Sequence, residues 1–178
     1  TICFMDILYR EMVQEDVPYI KKLYEDSFPA SEKKPFEWMM DSEERMLVVM
    51  ADQKVCGLLF TLEDETGILI DYFAIDGRFR QNGVGSRVLG LYLEQAGKPV
   101  ILEIEDPGSA SNEQERKLRL RRKDFYLRGG LKLQDYRVDL FGVRMEMLAT
   151  IDQFTYNAYV ALLKNCLFEG VENHVSKV

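Results

Sequence analysis

ILIDYFAIDGRFRQNGVGSRVLGLYLEQAG, residues Ile68 to Gly97, decides how this chain folds. Ile68–Ile75 is an apolar run of strand length, rich in β-branched and aromatic residues. Asp76–Arg80 is a polar break, and Gln81, Asn82, Gly83, Val84 and Gly85 follow. From Ser86 the apolar residues Val88, Leu89, Tyr92, Leu93 and Ala96 recur at helical spacing as far as Gly97, with Pro99 just beyond. Strand, glycine loop and helix together aim the unpaired N–H groups of a helix N-terminus at an anion. Gly83 and Gly85 remove the Cβ atoms that would hold an oxyanion off the main chain. A dinucleotide fingerprint needs a third glycine where Val88 stands, and a P-loop needs a lysine that this loop lacks. A βα turn that binds nothing also fits the pattern.

Working outward, 178 residues with 47% hydrophobic content suit one domain with a proper core. No run approaches the ~18 apolar residues of a membrane span, and no signal-peptide pattern opens the chain. A cytoplasmic protein with no membrane association is expected. Met5 fits a natural start, which predicts that Thr1–Phe4 are leftover sequence. Cys3, Cys56 and Cys166 are far apart and lack CxxC spacing, so they read as reduced, packed thiols. The single His174 excludes His-based triads, and no metal site is expected. A net charge of −7 argues against nucleic acid as the main partner. An anionic ligand must therefore be held by local geometry.

Before the central stretch, Ile7–Met12 reads as a strand. Val17, Ile20, Leu23, Tyr24 and Phe28 mark a helix stopping before Pro29, and Pro35 opens a short second one carrying Phe36, Trp38, Met39 and Met40. Arg45–Ala51 and Val55–Glu63 are strands around a turn at Asp52–Lys54, and Asp64–Gly67 turns into Ile68–Ile75, so these three run antiparallel. Strand Val100–Glu105, reached through a helix, runs parallel to Ile68–Ile75 by a right-handed crossover. The sheet is therefore mixed. Ser111 and Gln114 match a capping box before a cationic helix that holds Arg116, Lys117, Arg119, Arg121, Arg122 and Lys123 and ends at Gly129-Gly130. Its charge suits a solvated face with internal salt links. Leu131–Leu140 and Val143–Leu148 form a strand pair, and Phe154–Phe168 a last helix that caps the fold or supplies a homodimer contact.

Arg80-x-x-Gly83-x-Gly85, between a strand and a helix, resembles the pyrophosphate loop of the GNAT N-acetyltransferase superfamily. Asp124-Phe125-Tyr126-Leu127-Arg128-Gly129-Gly130-Leu131 is similar to a second segment of that superfamily, and the resemblance extends over most of Ile7–Leu148. It implies an α/β fold with a mixed, mostly antiparallel central sheet, two parallel splayed strands at its centre and flanking helices. It also implies a domain over residues 1–150, with 151–178 packing on it as a C-terminal helix and tail. The implied cofactor is acetyl-CoA. Main-chain groups of Phe73, Ala74 and Ile75 would pair with the pantetheine arm, and Arg80, Gln81, Asn82, Gly83, Val84, Gly85 and Ser86 would hold the pyrophosphate. Arg78 or Arg87 could add positive charge. Tyr126 matches the tyrosine proposed to protonate the departing thiolate. Where the family commonly has an asparagine before that tyrosine, Arg119 stands here.

An acceptor amine must lose a proton before attack, so a carboxylate base is sought. Glu103 sits mid-strand, where an unpaired carboxylate is costly, and Asp71 is similarly placed; Glu105 follows. The family's histone-type base falls on Leu69. The implied function is direct acetyl transfer, in a ternary complex, to a primary amine on a small molecule or peptide. The helix–loop–helix around Tyr24, Phe28 and Trp38 would wall the acceptor pocket, although aromatics at that spacing also suit a core. The rival class is a non-catalytic coenzyme A-binding or sensing module of the same fold.

Overall fold

Tight turns join the second strand to the third and the third to the fourth. The computed structural model describes residues 4–178, so Cys3 lies outside the described residues. Ile7–Glu11 (β1) pairs antiparallel with Arg45–Ala51 (β2). At the end of β2, Asp52 and Gln53 take φ values of 48° and 67°. That left-handed pair matches the twist of a tight hairpin, so Lys54–Glu63 (β3) folds straight back on β2. Ile68–Ile75 (β4) follows the Asp64 turn, where Asp64 Oδ1 accepts from the N–H groups of Thr66 and Gly67.

The described chain folds as two units, one from Thr1–Leu62 with Ile70–Gln95 and the other from Glu63–Leu69 with Ala96–Val178. The first contains helices Val17–Ser27 (α1), Phe36–Met40 (α2) and Val84–Gln95 (α3). Its core is aromatic: Tyr24, Phe36 and Phe60 pack with Ile20, Met39, Val48 and Leu58, all essentially without solvent contact. Tyr24 meets Tyr72 edge-on at 4.9 Å between ring centroids, worth about 1 kcal/mol beyond the area buried. Tyr24, read as either core or pocket wall, is core here, whereas Trp38 stays 40% exposed. Helix α3 is fastened to β1 by Tyr9, whose ring meets Tyr92 at 5.4 Å and whose hydroxyl donates to Gln95 at 2.6 Å. Gly57 has no room for a side chain, since a Cβ there would lie 2.8 Å from the Ala74 carbonyl oxygen. Only glycine lets β3 lie that close to the end of β4.

The second unit holds Val100–Glu105 (β5), Glu113–Arg128 (α4), Lys132–Leu140 (β6), Val143–Ala149 (β7), Tyr156–Cys166 (α5) and a short final strand, Val175–Lys177 (β8). β8 lies in the stretch expected to be a polar tail; it pairs with β6 through Val138, Asp139 and Leu140. Cys166 Sγ meets the Glu63 carbonyl at 3.2 Å and Asn165 donates to Asp64, tying α5 to its own unit. The strand order is β1-β2-β3-β4-β5-β7-β6-β8, antiparallel except for β4 with β5. That parallel ladder consists of Ile68 with Val100 and Leu69 with Ile101; residues 70–75 of β4 continue beyond it. Among the described residues no helix is long and apolar enough to cross a membrane.

Candidate functional site

The loop after β4 is more ordered than a polar break. Asp76 caps a 3-10 turn over Gly77–Asn82 by accepting from the Arg78 N–H. The Arg78 guanidinium and the Tyr19 hydroxyl both converge on Asp76 Oδ2, at 2.7 and 2.5 Å. These donors hold the Asp76 carboxyl far below the usual carboxylate range, Arg78 first and Tyr19 second. Gly83 then adopts φ +67°, and that left-handed step starts α3 at Val84, two residues before the expected Ser86. The first intrahelical bond from Arg87 N–H runs to the Gly83 carbonyl. An α-helix leaves its first amides without partners inside the helix; here they belong to Val84, Gly85 and Ser86. Val84 is buried, anchoring the turn, while Gln81, Asn82, Gly83 and Ser86 face solvent. A Cβ at Gly83 would meet nothing within 4 Å, so it is the left-handed φ and not crowding that asks for glycine there. Arg80 Nε donates to the Ile75 carbonyl at 2.8 Å, tying its guanidinium to the end of β4. Phe73 and Ala74 are half-buried and Ile75 is buried on the same strand. The residues Arg80 to Ser86 are thus one contiguous cradle fit for a diphosphate.

In the same unit Asp71 belongs to a charge cluster whose other members, Lys34 and Glu44, carry no signal in the sequence pattern. Lys34 Nζ stands 2.5 Å from Asp71 Oδ2 and 3.1 Å from Glu44 Oε2. The first contact is charge to charge without hydrogen-bond geometry, for Asp71 Oδ2 and Glu44 Oε1 are buried with no hydrogen-bond partner among the described residues. The Glu44 side chain has no solvent contact. Burial, then the neighbouring Asp71 charge, pushes its pKa up; the Lys34 charge only partly opposes this. Lys34 stays protonated: burial works against its charge, but the two carboxylates outweigh burial. Its backbone is pinned as well, with Tyr24 donating to its carbonyl at 2.7 Å and its N–H donating to the Tyr72 hydroxyl at 3.1 Å.

In the second unit, Tyr126 is the one residue of α4 that is buried. Its ring meets Phe125 edge-on at 5.1 Å. Burial pushes the Tyr126 hydroxyl up to about 12, opposed weakly by Arg122, so it keeps its proton at neutral pH. Glu103 on β5 accepts a hydrogen bond from Tyr159 on α5. Glu105 pairs with Arg119, and Arg119 also reaches Glu115 at 2.9 Å and the Asp106 carbonyl at 2.8 Å. Lys123 donates to both oxygens of buried Glu146, at 3.0 and 2.9 Å. The inward stripe of α4 is therefore ionic and internally paired, as a helix of that composition was expected to be. Its cap is Asn112, whose Oδ1 accepts from Glu115 N–H while Glu115 accepts from Ser111 N–H. The cap sits one residue later than expected: Asn112, in extended conformation, takes the place expected of Ser111, and Glu115 that of Gln114.

A sequence model of the acetyltransferase (GNAT) family matches residues 9–113. Among solved structures, a GNAT-family protein from Bacteroides thetaiotaomicron shares 20% identity at a TM-score of 0.72, over 89% of this chain and 96% of its own. A GNAT acetyltransferase from Elizabethkingia anophelis with acetyl-CoA bound gives 14% identity and a TM-score of 0.60, over 80% and 96%. A Bacillus subtilis acetyltransferase in complex with CoA gives 14% and 0.59, over 85% and 100%. At these identities the structures establish the fold. Comparison with curated protein sequences gives no match.

Proposed function

Because this chain belongs to the GNAT acetyltransferase family, whose model covers residues 9–113, we propose that it transfers the acetyl group of acetyl-CoA to a primary amine. The observation that carries the reading is the left-handed Gly83, φ +67°, which starts α3 so that the amides of Val84, Gly85 and Ser86 have no partner within the helix. Solved relatives that carry CoA or acetyl-CoA support the choice of cofactor.

Acetyl-CoA, when bound, supplies an activated thioester carbon. The chain's part begins at the start of α3, where the main-chain N–H groups of Val84, Gly85 and Ser86 would donate to a diphosphate that a −7 protein would otherwise repel. Arg80, tied to the Ile75 carbonyl, adds charge at the strand's end. The backbone of Phe73, Ala74 and Ile75 offers strand-like pairing to the amides of the pantetheine arm. Tyr126, protonated well above neutral pH, is the residue to which the family resemblance would assign the proton for the departing sulfur. Asp71 and Glu103 are the candidate proton acceptors for the amine. Both are engaged, Glu103 by Tyr159 and Asp71 by Lys34, so engagement does not choose between them. Holding both reactants in one complex supplies much of the acceleration.

That engagement of Glu103, with Arg119 clamped where the family commonly has asparagine, favours one second reading, a non-catalytic CoA-binding module. Thiol release from acetyl-CoA over a panel of amines separates the two. Amine-dependent release supports transfer; binding of CoA without release over the whole panel supports the module.

A further inference from the structure

The Gly77–Asn82 turn that leads into Gly83 has no buried residue, so packing does not hold it in place. Polar contacts at its start do. The Asp76 N–H donates to the Cys56 carbonyl on β3 at 2.7 Å, fixing the backbone where the turn leaves the sheet. The carboxylate reaches forward, with Oδ1 accepting from the Arg78 N–H at 3.0 Å to cap the turn. Two side chains orient that carboxylate, and they are not equivalent. Arg78 is only two residues along and its side chain is 73% exposed. Such a pair is screened and moves with the turn, so it does not set the turn's place on the protein. Arg80, bonded to the Ile75 carbonyl, is likewise a short-range tie. Tyr19 comes from α1, 57 residues away along the chain, and its hydroxyl donates to Asp76 Oδ2 at 2.5 Å. Its ring packs against the aromatic core of the same unit. Burial first, and the Asp76 bond second, push the Tyr19 hydroxyl up to about 12, so it stays a donor at neutral pH. At the far end of the turn Val84 is buried. The turn is thus held at its end by packing and at its start by the Cys56 bond and one hydroxyl from outside the loop.

We infer that Tyr19 is a positioning residue for the diphosphate loop, holding through Asp76 the turn that brings Gly83 and the first amides of α3 to the ligand. The inference rests on the acetyl-CoA reading for the identity of that ligand. Tyr19 acts through Asp76 and does not touch the cofactor. Pantetheine has no diphosphate, so its binding is indifferent to Tyr19. That asymmetry separates positioning from a general contribution to folding, which would weaken both ligands together.

Calorimetry of CoA and of pantetheine near neutral pH, on the full chain as wild type, Tyr19→Phe, Asp76→Ala and the double variant, tests this. Phenylalanine keeps the ring in the core and removes only the donor. Tyr19→Phe should bind CoA about tenfold more weakly, the scale of one hydrogen bond to a charged group, and pantetheine as the wild type does. Asp76→Ala should weaken CoA at least as much. Adding Tyr19→Phe to it should then change nothing further, because both act through one contact. Equal CoA affinity in the wild type and Tyr19→Phe overturns the inference, as does a parallel loss of CoA and pantetheine or an additive loss in the double variant. A Tyr19→Phe chain that no longer folds also overturns it, by placing the hydroxyl in the service of the fold; Tyr19→Phe alone decides if Asp76→Ala does not fold. A wild-type chain that gives no heat with CoA removes the acetyl-CoA reading and this inference with it, whereas a Tyr19→Phe chain that matches a CoA-binding wild type removes this inference alone.

Discussion

Helix α4 and the loop before α3 make opposite use of charge. The helix carries Arg116, Lys117, Arg119, Arg121, Arg122, Lys123 and Arg128, the densest positive run in the chain. Its inward cations are consumed internally: Arg119 by Glu105 and Glu115, Lys123 by Glu146. The loop has few charges, and those it has organise the loop itself, with Arg78 on Asp76 and Arg80 on the Ile75 carbonyl. What remains at its surface is the uncharged amides of Val84 to Ser86. Positive composition therefore marks where the fold is stapled, and backbone geometry marks where an anion would bind.

Breaking the staple should have the largest effect. Glu146→Ala leaves half-buried Lys123 without its carboxylate, and removal of one partner of such a pair costs about 3 kcal/mol. Chemical denaturation should register that loss while CoA affinity is unchanged; equal stability would mean that α4 is not held by charge. Next comes Tyr126→Phe, expected to lower turnover about a hundredfold, the lower range for a lost general acid, with CoA affinity kept. Unaltered turnover would remove Tyr126 from the mechanism.

The loop's own charges should matter less. Asp76→Asn should cost about 1 kcal/mol, as losing a helix cap does, measured by thermal melting. The sign with pH follows. Asp76 has a folded pKa below its unfolded value, so its stabilisation is full above the unfolded pKa of ~4 and fades as pH falls toward the folded one. A melting temperature that ignores Asp76→Asn across that acid range would contradict this. Smallest is Arg121→Ala, on the exposed side of α4, within about 0.5 kcal/mol and with no change in CoA affinity. A large drop in that affinity would show that the exposed cations, and not the amides, hold the phosphates.

The chain announces its strands well. Arg45–Ala51, Ile68–Ile75 and Val100–Glu105 begin and end close to where their apolar runs do, because most of their side chains are buried and a single internal carboxylate, Asp71 or Glu103, does not break the run. The left-handed step at Gly83 was legible too, since φ +67° is a conformation that few residues other than glycine adopt. Boundaries set by conformation were less so: the left-handed Gly83 starts α3 two residues early, and Asn112 takes the cap expected of Ser111. β8 escaped notice because three residues, Val175–Lys177, carry no periodicity; pairing with β6 makes them a strand. Glu44 escaped for a different reason. Ser42-Glu43-Glu44 reads as a solvated turn, and only the tertiary approach of Lys34 and Asp71 buries it. The Tyr159–Glu103 bond likewise joins residues far apart in the chain.

Calorimetric titration of CoA, with pantetheine as the matched ligand lacking the diphosphate, tests the central claim most directly when run on the wild-type chain and on Gly83→Val. A β-branched residue is strained at φ +67°, so the variant should bind CoA at least about tenfold more weakly, while pantetheine binds both proteins alike. No heat from CoA with the wild-type chain, or the same CoA affinity in the variant, would contradict the cradle at Gly83.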